Sequence, residues 1–390
     1  LIFLIQSPHG WRSGAWQRPH HLATRFARAG HFVRYVQPRY VKWLAREPGR
    51  FARTRSERSG NGDRGVEVKT VTLLNGERFA AIRRFNQLRL TRALRAPAPP
   101  AASGPRVLWL YNPHEAHLAE TVPHDLLVYD IMDEYRGFPW SPPGVEREEA
   151  ELLRRADWVF AGTRALYDAK RPTAEGRIEC VLSGVEVERF ARPSQGGTQP
   201  PPSDLAPLKE TYARLLGYAG TIDLRVDREL LAASARRHRD WGFVLLGPTA
   251  GEVGALRAEP NVHLLGAKRY EELPGYYHAF DVALLPFIEN ELTRHINPTK
   301  MLEYAAAGLP IVARALPDVE RFYGDGAWLY RTGEEFERAL QSALSPEIGQ
   351  ERANRLSAAR GWMKERDWNS IAASMLDRLA LPKNPPIQAV

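Results

Sequence analysis

Ile296-Asn297-Pro298-Thr299-Lys300-Met301-Leu302-Glu303-Tyr304-Ala305-Ala306-Ala307-Gly308-Leu309-Pro310-Ile311-Val312 reads as a helix delivered straight into a strand. Pro298 suits the first helical position, where its missing N–H costs nothing. The amides of Thr299, Lys300 and Met301 are then expected to point out of the helix start, at the positive end of its dipole. Such an end accepts an anion, and a diphosphate there would gain Lys300 as a point charge and Thr299 as a hydroxyl donor. Glu303 falls one turn further along the same face, where its carboxylate can take both hydroxyls of a ribose. The small run Ala305–Gly308 lets the helix pack closely before Pro310 opens the strand. A well-capped amphipathic helix with surface Lys and Glu has the same pattern.

Outward from this stretch the chain keeps a strand–helix rhythm, the pattern of a parallel sheet with crossover helices. Strands are expected at Leu1–Gln6, Val33–Gln37, Val107–Tyr111, Leu126–Ile131 and Trp158–Gly162, then at Leu215–Gly220, Gly242–Gly247, Val262–Gly266, Asp281–Phe287 and Pro310–Ala313. Helices are expected at Gln17–Ala29, Val145–Ala156, Asp227–Arg239, Tyr270–Phe280, Pro298–Ala307 and Glu334–Leu344. Arg39–Ala101 breaks the rhythm and reads as a basic, partly ordered insertion with a turn at Ser59–Asp63. The Pro- and Gly-rich run Arg192–Ser203 disfavours helix and central strand, and reads as a linker. The chain therefore divides into an α/β domain over 1–192, a linker over 193–208, a second α/β domain over 209–365, and a tail over 366–390. The helical tail, with Trp362, Trp368 and Met375 as anchors, is expected to return to the first domain. In open parallel sheets ligands bind beyond the carboxyl ends of the strands, so the expected site is a cleft where two such ends face each other.

The 390 residues exceed one ordinary core, and 44% hydrophobic with 26% charged residues describes a folded globular chain. No apolar run approaches the roughly 20 residues needed to cross a bilayer. Leu1–Ile5 reads as a buried first strand rather than a signal peptide. The single cysteine, Cys180, excludes a disulfide within the chain and fits a reducing cytoplasm. Residues 1–100 hold 20 Lys plus Arg against 5 Asp plus Glu, so their charge of +15 exceeds the +8 of the whole chain. An Arg-rich solvated surface, a contact with an anionic membrane or lipid-linked acceptor, and a nucleic-acid contact all fit that excess. No nucleic-acid-binding motif accompanies it. His114 and His117 have metal-like spacing but no acidic or thiol cluster beside them, so no metal is expected.

Four stretches, in order, resemble the bacterial GT-B glycosyltransferases, of the family 4-like, xanthan glucuronosyltransferase-like and teichuronic acid transferase-like types. They are Ser7–Trp11 with Gln17–Leu22, Leu126–Glu134, Gly217–Asp223 continuing to Val244–Pro248 and Gly266–Tyr270, and the Pro298–Val312 block. The resemblance implies two doubly wound Rossmann-like domains facing each other across a cleft. The implied activity is sugar transfer from a nucleoside-diphosphate sugar, UDP favoured, to a glycan, lipid-linked or small-molecule acceptor in polysaccharide or glycoconjugate assembly. It implies no cofactor beyond the nucleotide-sugar co-substrate, and places the protein in the cytoplasm, peripheral on the inner face of the membrane. Many retaining members carry a glutamate where this chain has His295, so inversion is slightly favoured.

An inverting transfer needs a base for the acceptor hydroxyl and positive groups for the departing diphosphate. By motif position Asp133 is the base, with Asp130 its rival; Asp133 reads equally as a helix cap or a partner of Arg136. Gly10, Arg225, Lys268, Tyr270, Thr299, Lys300, Met301 and Glu303 are assigned to the donor nucleotide and diphosphate. Arg294, His295 and Asn297 fall to the donor sugar, and Trp11, Arg18 and His20 to the acceptor side with Asp130. A nucleotide-sugar epimerase of the same fold, or a binding protein using the basic half, remains the alternative.

Overall fold

The computed structural model describes residues 1–12, 16–41, 55–58 by backbone alone, 65–77, 79–138, 141–193, 200–345, 347 and 349–380. The chain forms two units, Leu1–Leu182 with Trp368–Val390, and Ser183–Asp367.

In the first unit β1 (Ile2–Gln6), β2 (Phe32–Val41), β3 (Arg55–Arg58), β4 (Val66–Leu74), β5 (Arg106–Leu110), β6 (Leu126–Ile131), β7 (Trp158–Ala161) and β8 (Ile178–Cys180) make one sheet in the order β3-β4-β2-β1-β5-β6-β7-β8. Every pairing is parallel except β3 with β4. A central parallel strand is covered on both faces, which is why β1 is apolar throughout up to Gln6. Ile2 and Leu4 enter one core, Phe3 and Ile5 the other. The second core is closed by the helix Trp368–Ala380, whose Trp368 stacks on His21 with ring centres 4.6 Å apart. Trp362, the remaining expected anchor, packs edge-on against Tyr323 in the second unit.

The second unit repeats the plan with β9 (Arg214–Ala219), β10 (Trp241–Leu246), β11 (Val262–Gly266), β12 (Val282–Leu285), β13 (Ile311–Arg314) and β14 (Trp328–Tyr330), all parallel, in the order β11-β10-β9-β12-β13-β14. Counted within the unit this is 3-2-1-4-5-6, the Rossmann order. The strand order switches direction between β9 and β12, and in sheets of this order the ligand crevice lies at the carboxyl ends of the strands beside that switch. Gly247 sits at that rim with φ +146°, and a Cβ there would lie 2.0 Å from the Gly220 carbonyl oxygen. Only glycine allows the ends of β9 and β10 to approach so closely.

Two expectations are corrected. Within the expected insertion Arg39–Ala101, β4 pairs with β2 over nine residues and the helix Ala80–Leu94 follows it, so these described residues are a regular part of the sheet. The polar, alternating strand and arginine-rich helix lack the continuous apolar runs of the central strands. The expected turn at Ser59–Asp63 lies outside the described residues, as does half of the linker run, residues 194–199. The units divide before the linker rather than at it, because the short helix Val187–Phe190 belongs to the second unit. Phe190 stacks on Tyr277, 5.5 Å between ring centres, and meets Tyr270 edge-on.

Candidate active site

At the crevice of the second sheet the loops after β9 and β12 are stitched together. The Asp227 amide donates to the Pro286 carbonyl at 2.7 Å and the Ile288 amide to the Arg225 carbonyl at 2.9 Å. The helix Lys300–Ala306 closes this end, and its buried Tyr304 hydroxyl accepts the Ala219 amide at the tip of β9, 2.8 Å away. The helix therefore cannot shift without breaking a bond to the central strand.

On this anchored helix Glu303 is 5% exposed. Its Oε2 accepts the Lys300 ammonium at 2.7 Å and the Tyr277 hydroxyl at 2.8 Å. Both bonds fall on one oxygen, leaving Oε1 without a hydrogen-bond donor among the described residues. Burial pushes the Tyr277 phenol well up, and the neighbouring Glu303 charge adds to it, so Tyr277 stays a donor. The helix begins later than the sequence suggests. The Met301 amide is spent on the Pro298 carbonyl at 3.0 Å, so only the Thr299 and Lys300 amides lack an acceptor among the described residues. Met301 itself is fully buried. Arg225 lies on the loop after β9, its guanidinium held by both Asp223 oxygens at 2.7–3.1 Å.

The other second-unit candidates have local partners. Lys268 donates to Asp204 at 2.6 Å. Tyr270 is buried under the Arg189 guanidinium, 5.0 Å from its ring, and against Phe190. Arg294 is exposed beside Glu289, and His295 Nδ1 lies 2.8 Å from the Glu291 carbonyl. Asn297 spends both ends of its amide, donating to Asp318 at 3.1 Å and accepting from Tyr323 at 2.6 Å. That ties the loop to the helix Pro317–Tyr323 and gives Asn297 a structural task.

In the first unit the loop after β1 is gathered round His20. Its Nδ1 accepts the Gln17 amide at 3.1 Å, which places the proton on Nε2, 3.1 Å from the Gly10 carbonyl it donates to. Burial holds the His20 pKa down to about 4, and His9 likewise. Trp11, 6% exposed, packs against Tyr35 and His20. Trp11 and His20 therefore shape the loop from inside.

Arg18 and Asp130 are both fully buried and paired, the guanidinium Nε lying 2.9 Å from each carboxylate oxygen. Trp109 and the Val181 carbonyl complete the cluster. Burial pushes the Asp130 carboxyl up and Arg18 counters it. Neither group presents a surface to an acceptor, and Asp130 is not an accessible base. Asp133, in the turn after β6, is partly exposed. Next to it Glu134 is anchored by Lys170 at 2.9 Å, and Lys170 also reaches Glu149 at 2.6 Å.

Sequence reasoning missed Tyr277 and Tyr304. Tyr304 follows Glu303 directly in the quoted motif, but Tyr277 lies in an aromatic run indistinguishable from core. Asp223, which aims Arg225, was also missed although it stands two residues away.

Residues 214–345 match the family Glycosyl transferases group 1. TuaH of Bacillus subtilis (strain 168), a glycosyltransferase assigned to teichuronic acid biosynthesis, is 24% identical over 325 residues, covering 77% of this chain and 78% of its own. Among solved structures, sucrose-phosphate synthase of Thermosynechococcus elongatus superposes with a TM-score of 0.72 at 16% identity, covering 97% of this chain and 98% of its own. The UDP-forming alpha,alpha-trehalose-phosphate synthase of Burkholderia vietnamiensis gives 0.72 at 13%, with 97% and 98% covered. HepE of Anabaena, solved with UDP and glucose, gives 0.67 at 16%, with 97% and 99% covered. Residues 214–345, within the second unit, are thus a group 1 glycosyl transferase domain, and the chain as a whole has the GT-B fold of these solved structures.

Proposed function

We propose that the chain moves a sugar from a UDP-sugar to a glycan or lipid-linked acceptor in the assembly of a polysaccharide, without a metal ion. The observation that carries the reading is the Lys300–Glu303–Tyr277 constellation at the crevice of the second sheet. A ribose would offer its two hydroxyls to Glu303, whose Oε1 has no donor among the described residues. Lys300, the Thr299 and Lys300 amides and Arg225 would meet the diphosphate and stabilise it as it leaves, the task a metal performs elsewhere. HepE was solved with UDP and glucose, which favours uridine as the base.

Asp133 is our general base. It lies on the turn beyond β6, less buried than Asp130, and would take the acceptor proton while the hydroxyl attacks the anomeric carbon and the C–O bond to the diphosphate breaks. Inversion follows from a single displacement of this kind. The positive excess of the first unit suits an anionic acceptor carried at a membrane surface. Calorimetric titration with UDP, GDP and dTDP tests the donor assignment, with selective UDP binding expected. A chain that binds none of the three, or binds UDP unchanged in Glu303→Ala, loses this reading. Proton NMR of the product gives its anomeric configuration, and a retained one removes Asp133 as base.

A further inference from the structure

We propose that the outer face of the helix Ala80–Leu94, with the groove beside it, docks the protein on an anionic phospholipid surface. The inner face of this helix is set by Asn86, Leu90, Thr91, Ala93 and Leu94, all buried. At helical spacing on the opposite face stand Arg84, Phe85, Leu88, Arg92 and Arg95, all exposed. Leu88 is 62% and Phe85 40% exposed, and Phe79, capping the helix start, is 54% exposed. Large apolar side chains in water, interleaved with cations on one helix, are the arrangement that gains by lying in a membrane interface.

Charge selects the same partner. Arg84, Arg92 and Arg95 make no ion pair among the described residues, whereas Arg83, on the flank, is held by Glu148. Arg84 and Arg95 also line an open groove of about 800 Å³, together with His117 and His124. Glu120, the acidic side chain of that groove, is already neutralised by Arg155 at 2.7 Å. The groove is a seat for a phosphate headgroup, next to apolar side chains able to enter the acyl boundary. Nucleic acid would use the arginines but leave Phe85 and Leu88 in water, so the lipid surface is the better match.

This deepens the membrane part of the function proposed above and is tested apart from the chemistry. The full chain is sedimented with vesicles of phosphatidylcholine alone and of phosphatidylcholine with phosphatidylglycerol, at low and high salt. Binding is expected only with the anionic lipid, weakening as salt rises. Replacing Arg84, Arg92 and Arg95 together by Glu should weaken it by on the order of a hundredfold, and Leu88→Glu alone by roughly tenfold. UDP titration and a thermal melt on the same samples confirm that the variants are folded. Absence of vesicle binding, equal binding to both vesicles, or variants that bind like the parent overturn the proposal. So does capture of duplex DNA by a chain that ignores the vesicles. Vesicle binding by a chain that does not bind UDP would leave the docking face standing and remove the donor reading.

Discussion

Glu303 takes both of its bonds on one oxygen, and its neighbours Lys300 and Tyr277 fix which oxygen is left. Charge-assisted bonds to a ligand contribute about 1.5–3 kcal/mol each. Lys300→Ala and Glu303→Ala are therefore expected to weaken UDP binding by roughly ten- to a hundredfold, read by calorimetry. Asp133→Asn should bind UDP as the parent does and lose transfer, and near-normal turnover in that variant would remove the base assignment. Asp130→Asn tests a different role. It leaves the Arg18 charge buried without its counter-ion, at a cost of about 3–5 kcal/mol. Its thermal midpoint should fall by several degrees, while Asp133→Asn melts close to the parent.

The elements explain why the crevice holds its shape. Tyr304 ties the helix Lys300–Ala306 to the tip of β9, and Gly247 lets the tips of β9 and β10 meet. Gly247→Ala combines a left-handed φ with backbone overlap, so it should destabilise the second unit by roughly 3 kcal/mol, seen as a lower melting midpoint. The C-terminal helix serves the first unit in a similar way, covering its core with Trp368, Ile371, Met375 and Leu379. A chain ending at Asp367 should expose that core and melt earlier, with UDP binding by the second unit retained. Were the truncated chain to melt like the parent, the helix would not belong to the first core.

Across the whole molecule the titrating histidines are unevenly placed. His9, His20 and His117, all in the first unit, are held down to about 4 by burial, from an ordinary value of 6.5. A depressed histidine stabilises the fold fully above its unfolded pKa, because the native state stays neutral. As pH falls from about 6.5 towards 4 the unfolded chain takes up protons first, so stability is lost over that window, on the order of 3 kcal/mol per histidine. Burial raises Glu115 of the same unit to about 8, so its protonation offsets roughly one of the three histidines over this window, and the first unit's melting transition should fall by the remainder, measured by calorimetry across pH 6.5 to 4. His20→Gln should flatten the dependence, and an unchanged slope would count against His20 as a contributor.

What the amino-acid order determined by itself was whatever depends on neighbours along the chain. The βα rhythm of both halves, the helix before Pro310, and the closeness of Lys300 to Glu303 all follow from spacings of a few residues, which helical and strand geometry convert directly into contacts. Tertiary structure decided the rest. β4 and the helix Ala80–Leu94 were hidden because one is polar and alternating and the other rich in arginine, and only pairing with β2 makes them part of a sheet. Arg18 and Asp130 stand 112 residues apart, so only folding could turn two candidate site residues into one buried ion pair. Tyr277 became a clamp on Glu303 for the same reason: a hydrogen bond between side chains of separate elements has no period, and nothing along the chain records it.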